Sequence, residues 1–249
     1  MNLIIGRKPV LEAINSGEKI EQVYLLYGQK GGIINAIRIA AKKRGIKCNE
    51  IPVQKFSELT KSKNTQGVVA RKTNQKFYSL EEIISYSQKF SYPLLLILDS
   101  IQDTHNVGAI LRTAECSEAH GILITRHNSA PVNETVVKTS AGATEHLKIC
   151  SINNLSNAIS ELKNNGFWII GSSLENSSEG ISKGKAYTQV DYKVPVALIV
   201  GNEEKGIRRL TAENCDILVN IPMRGKIQSL NVSVATGILL FEILRQRNL

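Results

Sequence analysis

The chain has 249 residues, of which 42% are hydrophobic, and a formal net charge of +9. That apolar content excludes an intrinsically disordered chain and is enough for one large or two small globular domains. The longest apolar runs fall well short of the ~18 to 20 residues that a membrane-spanning helix needs. The first residues, MNLIIGRKPV, lack the apolar core of a signal peptide. We therefore expect a cytoplasmic protein.

The excess of positive charge lies entirely in the first third of the chain. Residues 1–75 hold 14 Lys and Arg against 5 Asp and Glu, whereas residues 76–249 hold 17 of each kind. A Lys/Arg surplus confined to one segment is typical of a site for a polyanion, and nucleic acid is the first candidate. A generically basic and well-solvated domain is the alternative interpretation.

Cysteine and histidine positions do not indicate a metal site. The four cysteines lie tens of residues apart without a C-x-x-C pair, and the four histidines show no ligand spacing. The cysteines are Cys48, Cys116, Cys150 and Cys215, and the histidines are His105, His120, His127 and His146. We predict that the cysteines are reduced core residues and that the protein binds no metal.

The first third has the pattern of a small α/β domain. Apolar periodicity predicts alternating strands and helices, with glycines at several boundaries. The predicted elements are strand 22–27, helix 33–43, strand 46–52, helix 55–61 and strand 67–71. The segment from Lys72 to Ser79 is polar and aperiodic, which predicts a linker.

The remaining residues predict a larger α/β domain. A helix is expected near residues 80–88, followed by the apolar run YPLLLILDS, which ends in Asp99. Further apolar runs alternate with helical patterns and cover 122–125, 147–150, 167–171, 196–201 and 217–221. Such runs predict a mostly parallel sheet covered on both faces. Ligands of these sheets bind outside the carboxyl ends of the strands.

Polar clusters follow three of the predicted strand ends. The first is LDSIQDTHNVGAILRTAE. We expect Asn106 to cap the following helix. Arg112 is expected to lie over Gly108, which has no side chain and so leaves room for a ligand. A structural salt bridge is the other interpretation of Arg112.

The second cluster, LIVGNEEKGIRRLT, has Gly201 and Gly206 around an acidic turn. A glycine directly after a strand permits close backbone approach to a flat ligand. A tight turn before a helix with acidic residues in its first turn is the alternative. No G-x-G-x-x-G fingerprint follows a predicted strand, so the sequence does not support an ordinary Rossmann pocket.

The third cluster is IPMRGKIQSLNVSVATGILLFEIL, where Ser229, Asn231 and Ser233 stand at the start of an apolar helix. Ser229 or Asn231 alone is explained as a helix N-cap. Three polar side chains are more than one cap requires. The helix is apolar around most of its circumference, which predicts burial in the core or against a second subunit.

In this order the three clusters resemble the signature blocks of the SpoU (TrmH-like) family of RNA ribose 2'-O-methyltransferases. The stretch SAPVNETVVKTSAGATEH resembles the connecting segment of the family, so the resemblance covers nearly the whole chain. It implies a small α/β RNA-binding domain, similar to a ribosomal-protein fold, followed by an α/β-knot methyltransferase domain with a trefoil knot and a mostly parallel sheet. The implied bounds are 1–75 for the RNA-binding domain, 76–90 for a linker and first helix, and 91–249 for the methyltransferase domain.

The resemblance also implies an S-adenosylmethionine pocket made of three loops, and an obligate homodimer that completes each site. The residues implied to hold the cofactor are Ser172, Ser173, Gly201, Asn202, Ile221, Met223 and Leu230. The residues implied to act in catalysis are Arg112, Asn106, Glu203, Ser229 and Asn231. Two positions depart from the family, because Glu204 and Glu118 stand where Gly is frequent. The backbone conformation that glycine gives the family's turn is therefore not implied at Glu204. The replacement of Gly by Glu at position 118 is expected to lie on the surface.

The substrate implied by the resemblance is RNA. The basic first domain together with RHNSAPVN looks most like the RlmB-type members, which methylate a guanosine of large-subunit (23S) ribosomal RNA. Methylation of transfer RNA is the alternative. A non-catalytic RNA-binding or ribosome-assembly module would explain the charge, but it leaves the three polar clusters unexplained.

Overall fold

A computed structural model describes residues 3–60, 65–72, 76–173, 184–202, 205–227 and 229–247. The chain folds into two compact units, Met1–Asn74 and Gln75–Leu249. Each unit has its own sheet and its own hydrophobic core. The second unit contains the three polar clusters.

The described part of the first unit forms a four-stranded sheet in the order β1-β4-β2-β3, with three helices. Strand β4 pairs antiparallel with β1 and β2, whereas β3 pairs parallel with β2. The elements are β1 (Leu3–Ile5), α1 (Arg7–Ser16), β2 (Ile20–Leu26), α2 (Gly32–Lys43), β3 (Lys47–Ile51), α3 (Val53–Thr60) and β4 (Val68–Lys72). The predicted α/β pattern from residue 22 onward is confirmed.

Helices α1 and α2 bury their apolar faces in one core with strands β2 and β4. In α2 the buried residues are Ile34, Ile37 and Ala41, which is the spacing of a helix packed on one side. The sequence predicts no element before residue 22, and the structure adds β1 and α1 there. Helix α1 follows Gly6, which offers no capping side chain, so the usual start signal is absent.

The second unit alternates strands and helices along most of its length. Its elements are α4 (Leu80–Ser87), β5 (Leu94–Leu98), α5 (Thr104–Cys116), β6 (Gly121–Thr125), α6 (Glu134–Thr139), β7 (Ile149–Ile152), α7 (Leu155–Asn164), β8 (Trp168–Ser172), β9 (Lys185–Ala186), β10 (Val196–Val200), α8 (Arg209–Glu213), β11 (Ile217–Asn220) and α9 (Val232–Arg247). Part of the predicted linker is ordered against this unit. Phe77 forms a parallel bridge to Ile149 of β7, and Ser79 forms a capping box with Glu82 at the start of α4.

The seven described strands of this unit lie in the order β7-β6-β5-β10-β8-β11-β9, and all of their pairs are parallel. The predicted mostly parallel sheet is confirmed. Because the strands run in one direction, their carboxyl ends meet at one edge of the sheet. The trefoil knot stays a prediction, since it depends on the path of residues 174–183 and 203–204, which lie outside the described ranges.

Helices cover both faces of the parallel sheet. Along β5, Leu94, Leu96 and Leu98 enter one core with α5, α6 and α9, whereas Leu95 and Ile97 enter the other with α4, α7 and α8. This alternation is the period of two that a strand imposes on its side chains. Both faces of the strand are therefore apolar, which explains why it is apolar throughout.

All four cysteines are free thiols. Cys150 is buried as predicted, and burial raises its pKa to about 11. Cys48 and Cys215 are only half-buried, and Cys116 is exposed on α5, so the prediction of a core position is wrong for Cys116. Glu118 is exposed as expected, but its φ of 57° is in the left-handed region, where glycine is the preferred residue.

Two further observations hold for the described ranges of the chain. None of the helices in them is both long enough and apolar enough to span a membrane. Nor do three or more His, Cys, Asp or Glu side chains in those ranges come together as a set of ligands for a metal ion.

Gly108 lies where α5 packs against α6. A Cβ at this position would lie 2.5 Å from the Cβ of Thr139 and 3.1 Å from the carbonyl oxygen of Val136. The prediction that Gly108 leaves room for a ligand beside Arg112 is therefore wrong, because α6 fills that space. Gly108 instead permits the close approach of two helices.

Gly108→Ala should lower the free energy of unfolding by about 1 to 3 kcal/mol, because the added methyl group must push α6 away from α5. Helix propensity alone predicts that the substitution raises the free energy of unfolding, since Ala is favoured over Gly in a helix by about 1 kcal/mol. Urea denaturation followed by the fluorescence of Trp168 measures the difference. Glu115→Ala, at an exposed position of the same helix, is the control and should change stability by less than about 0.5 kcal/mol. A Gly108→Ala protein more stable than wild type would contradict the packing argument.

Candidate active site

Four neighbouring strands end at the same edge of the second unit. Strands β5, β10, β8 and β11 lie side by side and parallel. The residues that directly follow them are Asp99, Gly201, Ser173 and Ile221. We call this set of strand ends and the loops that follow them the strand-end edge. Ligands of open parallel sheets bind in this position, and the three clusters predicted from sequence meet here.

A buried carboxylate connects the end of β5 to the start of α8. Asp99 is 1% exposed, and Arg208 donates from Nη2 to Oδ1 at 2.8 Å and from Nε to Oδ2 at 3.2 Å. The Thr211 hydroxyl donates to Oδ2 at 3.1 Å, and the Ser100 hydroxyl donates to Oδ1 at 3.1 Å. Buried charges require pairing and hydrogen bonds. Both oxygens of Asp99 have them, so this carboxylate fixes the loop between β10 and α8.

Ser100 turns the chain directly after the buried carboxylate. Its φ of 64° is in the left-handed region, which is uncommon for a residue other than glycine. The Ser100 amide donates to the Thr125 hydroxyl at 3.0 Å, and its carbonyl oxygen accepts from Nδ2 of Asn202 at 3.3 Å. Such a conformation persists only where the surroundings hold it. Here the ends of β5, β6 and β10 hold it together.

Gly201 begins a tight turn after β10. A Cβ at this position would lie 2.2 Å from the carbonyl group of Gly206 and 2.3 Å from the amide nitrogen of Ile207. The Gly206 amide donates to the Asn202 carbonyl oxygen at 2.8 Å, and the Lys205 amide donates to Oδ1 of Asn202 at 3.3 Å. Gly201 and Asn202 therefore build the turn. Glu203 and Glu204 lie outside the described residues.

Two asparagines connect the first and third clusters. Nδ2 of Asn231 donates to Oδ1 of Asn106 at 3.0 Å. Oδ1 of Asn231 accepts from the Ser233 amide at 2.9 Å and from the Ser233 hydroxyl at 2.5 Å. The interpretation of Asn231 as the cap of α9 is therefore confirmed. The same side chain also reaches a second helix, which a cap alone does not require.

Asn106 is not a helix cap. Helix α5 already begins at Thr104, and Asp103 caps it by accepting from the His105 amide at 2.8 Å. The prediction that Asn106 caps the helix is wrong, because an Asp three residues earlier provides the capping oxygen. Asn106 lies in the first turn instead, where its side chain is available to meet Asn231.

Arg112 is exposed, and no hydrogen bond or ion pair holds its guanidinium within the described ranges. Those ranges therefore provide no acceptor for the alternative structural salt bridge. Arg112 follows Asn106 by six residues, which at about 100° per residue places the two side chains about 120° apart around α5. A single chain thus brings Asn106 to Asn231 without bringing Arg112 to that pair.

The other predicted cofactor residues lie at the last residue of β8 and in the loops after β8 and β11. The Ser173 amide donates to the Val219 carbonyl oxygen at 2.8 Å, so Ser173 holds β8 to β11, and Ser172 is half-buried. Between β11 and α9 the described residues form neither helix nor strand. Ile221, Met223 and Leu230 are half-buried there and Ser229 is exposed.

The ionisable groups at and near this edge favour binding and positioning over covalent chemistry. Cys215 lies just before the amino end of β11 and packs on one face of the sheet. Burial, followed by the Asp216 carboxylate, raises the pKa of Cys215 to about 12. This thiol lies beside Gly171 of β8, and at neutral pH it is protonated and a poor nucleophile. Asp99 is committed to Arg208. The described residues of the edge thus offer amides, hydroxyls, irregular backbone and apolar surface.

Sequence reasoning missed the partners of Asp99. Asp99 is visible as the polar end of an apolar strand, but Arg208 lies 109 positions later in sequence. Arg208 stands beside Arg209, and nothing in the pair RR indicates which arginine reaches a buried group. One signal was present, since a carboxylate directly after a fully apolar strand requires a cation.

Two family models match the chain. The model of the SpoU rRNA Methylase family matches residues 93–241, and the model named RNA 2'-O ribose methyltransferase substrate binding matches residues 3–78. Two relatives are named in the TrmH family of tRNA/rRNA methyltransferases. The one from Bacillus subtilis is 35% identical over 98% of this chain and 96% of its own length. The one from Staphylococcus saprophyticus is 37% identical over 99% and 96%.

Solved structures give the same picture. The AdoMet-bound rRNA methyltransferase from Sinorhizobium meliloti has a TM-score of 0.61 and 27% identity, over 98% of this chain and 87% of that one. The TrmH/SpoU tRNA modifying enzyme from A. aeolicus has a TM-score of 0.56 and 31% identity, over 68% of this chain and 82% of that one. Together these relatives match both units of the fold.

Arg208→Gln should lower the free energy of unfolding by about 2 to 3 kcal/mol, because it leaves the buried Asp99 carboxylate without its cation. The matched control is Arg209→Gln. Arg209 pairs with Glu213 on the surface of α8, and an exposed pair of this spacing is worth only about 0.3 to 0.5 kcal/mol. Urea denaturation of both variants measures the contrast. Equal losses in the two variants would show that the buried carboxylate does not depend on Arg208.

Proposed function

We propose that this chain, which belongs to the SpoU rRNA methylase family, transfers a methyl group from S-adenosylmethionine to a ribose 2'-hydroxyl of RNA. The hydrogen bond of 3.0 Å between Asn231 and Asn106 carries the proposal. It joins two family blocks at the strand-end edge, where parallel sheets bind ligands. The match to the substrate-binding model supports RNA as the substrate.

The strand-end edge fits S-adenosylmethionine. Ile221 and Leu230 are half-buried and offer apolar surface to an adenine ring, while the irregular backbone around them offers polar groups that no helix or strand uses. The proposed cofactor residues are Ser172, Ser173, Gly201, Asn202, Ile221, Met223 and Leu230. Of these, Ser173 and Asn202 have side chains committed to the fold, so we assign their contacts to backbone atoms. When bound, the cofactor supplies an activated methyl group on a sulfonium.

The chain's own residues then have to hold the ribose hydroxyl in line with that methyl group. Asn106 and Asn231 are fixed by their mutual hydrogen bond and by the cap of α9, so they are preorganised to orient the hydroxyl. Ser229 is exposed two residues before Asn231 and is the third polar group proposed here. Holding reacting groups in a productive geometry is a large part of catalysis in two-substrate reactions.

Arg112 is proposed to orient the nucleotide phosphate and to stabilise the negative charge that develops on oxygen. It is unsuitable as a general base, because a guanidinium offers N–H donors only and has no acceptor for a proton. Its planar fork suits a phosphate or an oxyanion through two parallel donors. The proposed pairing of Glu203 with Arg112 or with a partner cation stays a prediction, since Glu203 lies outside the described residues.

We propose that a homodimer completes each site. On α9, Val234 is 51% exposed and Phe241 is 48% exposed, and seven residues place them on one face of the helix. Helix α9 packs on α5, which carries the exposed Arg112. Exposed apolar residues on a helix whose opposite face is buried indicate an interface. A second copy docked on this face would cover Val234 and Phe241 beside α5, the helix that carries Asn106 and Arg112.

A guanosine of large-subunit (23S) ribosomal RNA is the proposed target. The ribosomal RNA enzyme from S. meliloti aligns over 98% of this chain, both units included, whereas the A. aeolicus tRNA enzyme aligns over 68%. Transfer RNA is the second candidate, because the relatives' names include both RNAs. An RNA substrate and four free thiols agree with a cytoplasmic location, which we also propose.

Wild-type protein with S-adenosylmethionine should add 2'-O-methylguanosine to unmodified 23S ribosomal RNA but not to transfer RNA. Nucleoside digestion and mass spectrometry measure the product. Arg112→Ala should lower turnover by about 100-fold or more, the usual cost of removing one donor to a developing oxyanion. Arg112→Lys should remain well below wild type, since an ammonium cannot replace a planar pair of donors.

Arg209→Gln is the control for these variants and should keep wild-type turnover, because it removes only a surface ion pair of α8. Calorimetry with S-adenosylhomocysteine should show one site per chain. Near wild-type turnover by Arg112→Lys would contradict the role given to the guanidinium fork. No cofactor binding and no methylation would leave the alternative of a non-catalytic RNA-binding module.

A further inference from the structure

The first unit has a basic surface that the proposed active site does not use. An open cavity of about 760 Å³ is lined by Arg7, Lys8, Pro9, Ile33 and Gln66. Two of the lining residues lie at the start of a helix. Arg7 is the first residue of α1, and Ile33 lies in the first turn of α2. Lys8 is exposed. The cavity thus presents two cations at its wall.

The guanidinium of Arg7 is held in place at this cavity. Its Nε donates to the Gln66 carbonyl oxygen at 3.1 Å, and its Nη2 donates to Oε1 of Gln29. The Arg7 amide donates to Oε1 of Gln66 at 3.1 Å. Neither partner carries a charge, so the positive charge of Arg7 is positioned without being neutralised. A fixed cation loses little conformational freedom when an anion binds.

The loop that supplies Gln29 adds an exposed aromatic ring and another cation. This loop, residues 27–31, has the sequence YGQKG between β2 and α2, and Gly32 is the first residue of α2. Tyr27 is 68% exposed and Lys30 is exposed. A large aromatic side chain left in water beside cations is unusual for a stable surface and typical of a site that stacks nucleic acid bases.

Glycines leave the backbone of this loop open. A Cβ at Gly28, Gly31 or Gly32 would meet nothing within 4 Å, so the space over the loop is empty of protein. The φ values of 78° at Gly28 and 124° at Gly31 are disfavoured for other residues. These glycines therefore set the loop's path without filling the space that a ligand would enter.

We infer that this surface, formed by Arg7, Lys8, Tyr27 and Lys30 and called here the Tyr27 surface, binds an unpaired segment of the RNA substrate. The aromatic ring of Tyr27 stacks on a base, and the three cations neutralise the phosphates on either side of it. Unpaired RNA is the form whose bases are free to stack on a protein side chain. The inference rests on the proposed function, because it names the part of the first unit that holds the RNA.

Unpaired RNA fits the Tyr27 surface better than an acidic protein segment does. Cations alone would serve either partner equally well. An exposed tyrosine beside an open glycine loop adds a flat stacking surface, which a base uses and an acidic side chain does not. The assignment therefore depends on Tyr27 as much as on the lysines.

The test measures binding of full-length variants to an unmodified 23S ribosomal RNA transcript across a range of salt concentrations. Lys8→Gln with Lys30→Gln should weaken binding by about 10-fold and lower the slope of log affinity against log salt by about 1 to 2, the value for two lost phosphate contacts. The matched control is Lys42→Gln with Lys43→Gln. It removes the same charge at the other end of α2, about 18 Å away, and should change binding less than about 2-fold.

Tyrosine variants separate stacking from charge. Tyr27→Ala should weaken binding by about 10-fold with no change in the salt slope, whereas Tyr27→Phe should bind like wild type, because stacking needs the ring and not the hydroxyl. Equal effects of the two lysine pairs would overturn the Tyr27 surface. Displacement of the RNA by polyglutamate at equal charge would overturn the assignment to RNA bases in favour of a general acidic partner.

Two further measurements keep this inference distinct from the proposed function. S-adenosylhomocysteine should bind every variant like wild type, because none of the substitutions lies in the second unit. If wild type binds the cofactor and methylates RNA while the lysine and tyrosine variants bind RNA normally, only the Tyr27 surface is wrong. If wild type binds neither 23S ribosomal RNA nor transfer RNA, both proposals are wrong.

Discussion

The Asp99 carboxylate has only 1% of its side-chain surface exposed, and a charge buried to that extent requires a partner of opposite charge. That partner is Arg208, which lies 109 positions later in the sequence. The pair fixes the start of α8 against the end of β5. The turn that begins at Gly201 leads from β10 to α8. Its residue Asn202 donates a hydrogen bond to the carbonyl oxygen of Ser100, the residue next to Asp99. The turn after β10 is one of the three proposed cofactor loops, so the geometry of that loop depends on an ion pair whose carboxylate is buried.

Much of the fold could be predicted from the sequence because the parallel strands are buried on both faces. Runs such as 196–200 are apolar throughout, and glycines mark several of their ends, so the strands of the second sheet are visible without homologues. Local start signals fail where the capping group is missing. Helix α1 follows Gly6, which has no side chain to cap it, and was therefore not predictable from its first residues.

The candidate site was predictable as three polar clusters but not as a set of contacts. The asparagines at 106 and 231 were both identified, yet their hydrogen bond joins residues 125 positions apart, which no local pattern encodes. The sequence does not distinguish Asn106 from Asp103 as the cap of α5, because Asn and Asp are equally good caps. In the structure Asp103, which comes first along the chain, is the cap. The prediction of free space for a ligand at Gly108 is wrong for a similar reason. Only the tertiary packing of α6 against α5 reveals that the space is occupied.

Helix α9 connects the chemistry to the proposed assembly. Its N-terminal cap is Asn231, which reaches Asn106, and at its other end Arg247 donates to the carbonyl oxygens of Tyr92 and Val194 at 2.8 and 2.9 Å. Burial lowers the pKa of Arg247 to about 10, so it remains charged at neutral pH. A helix anchored at both ends has a fixed outer face, and that face carries Phe241. A second copy docked there, as proposed above, would therefore meet a rigid surface.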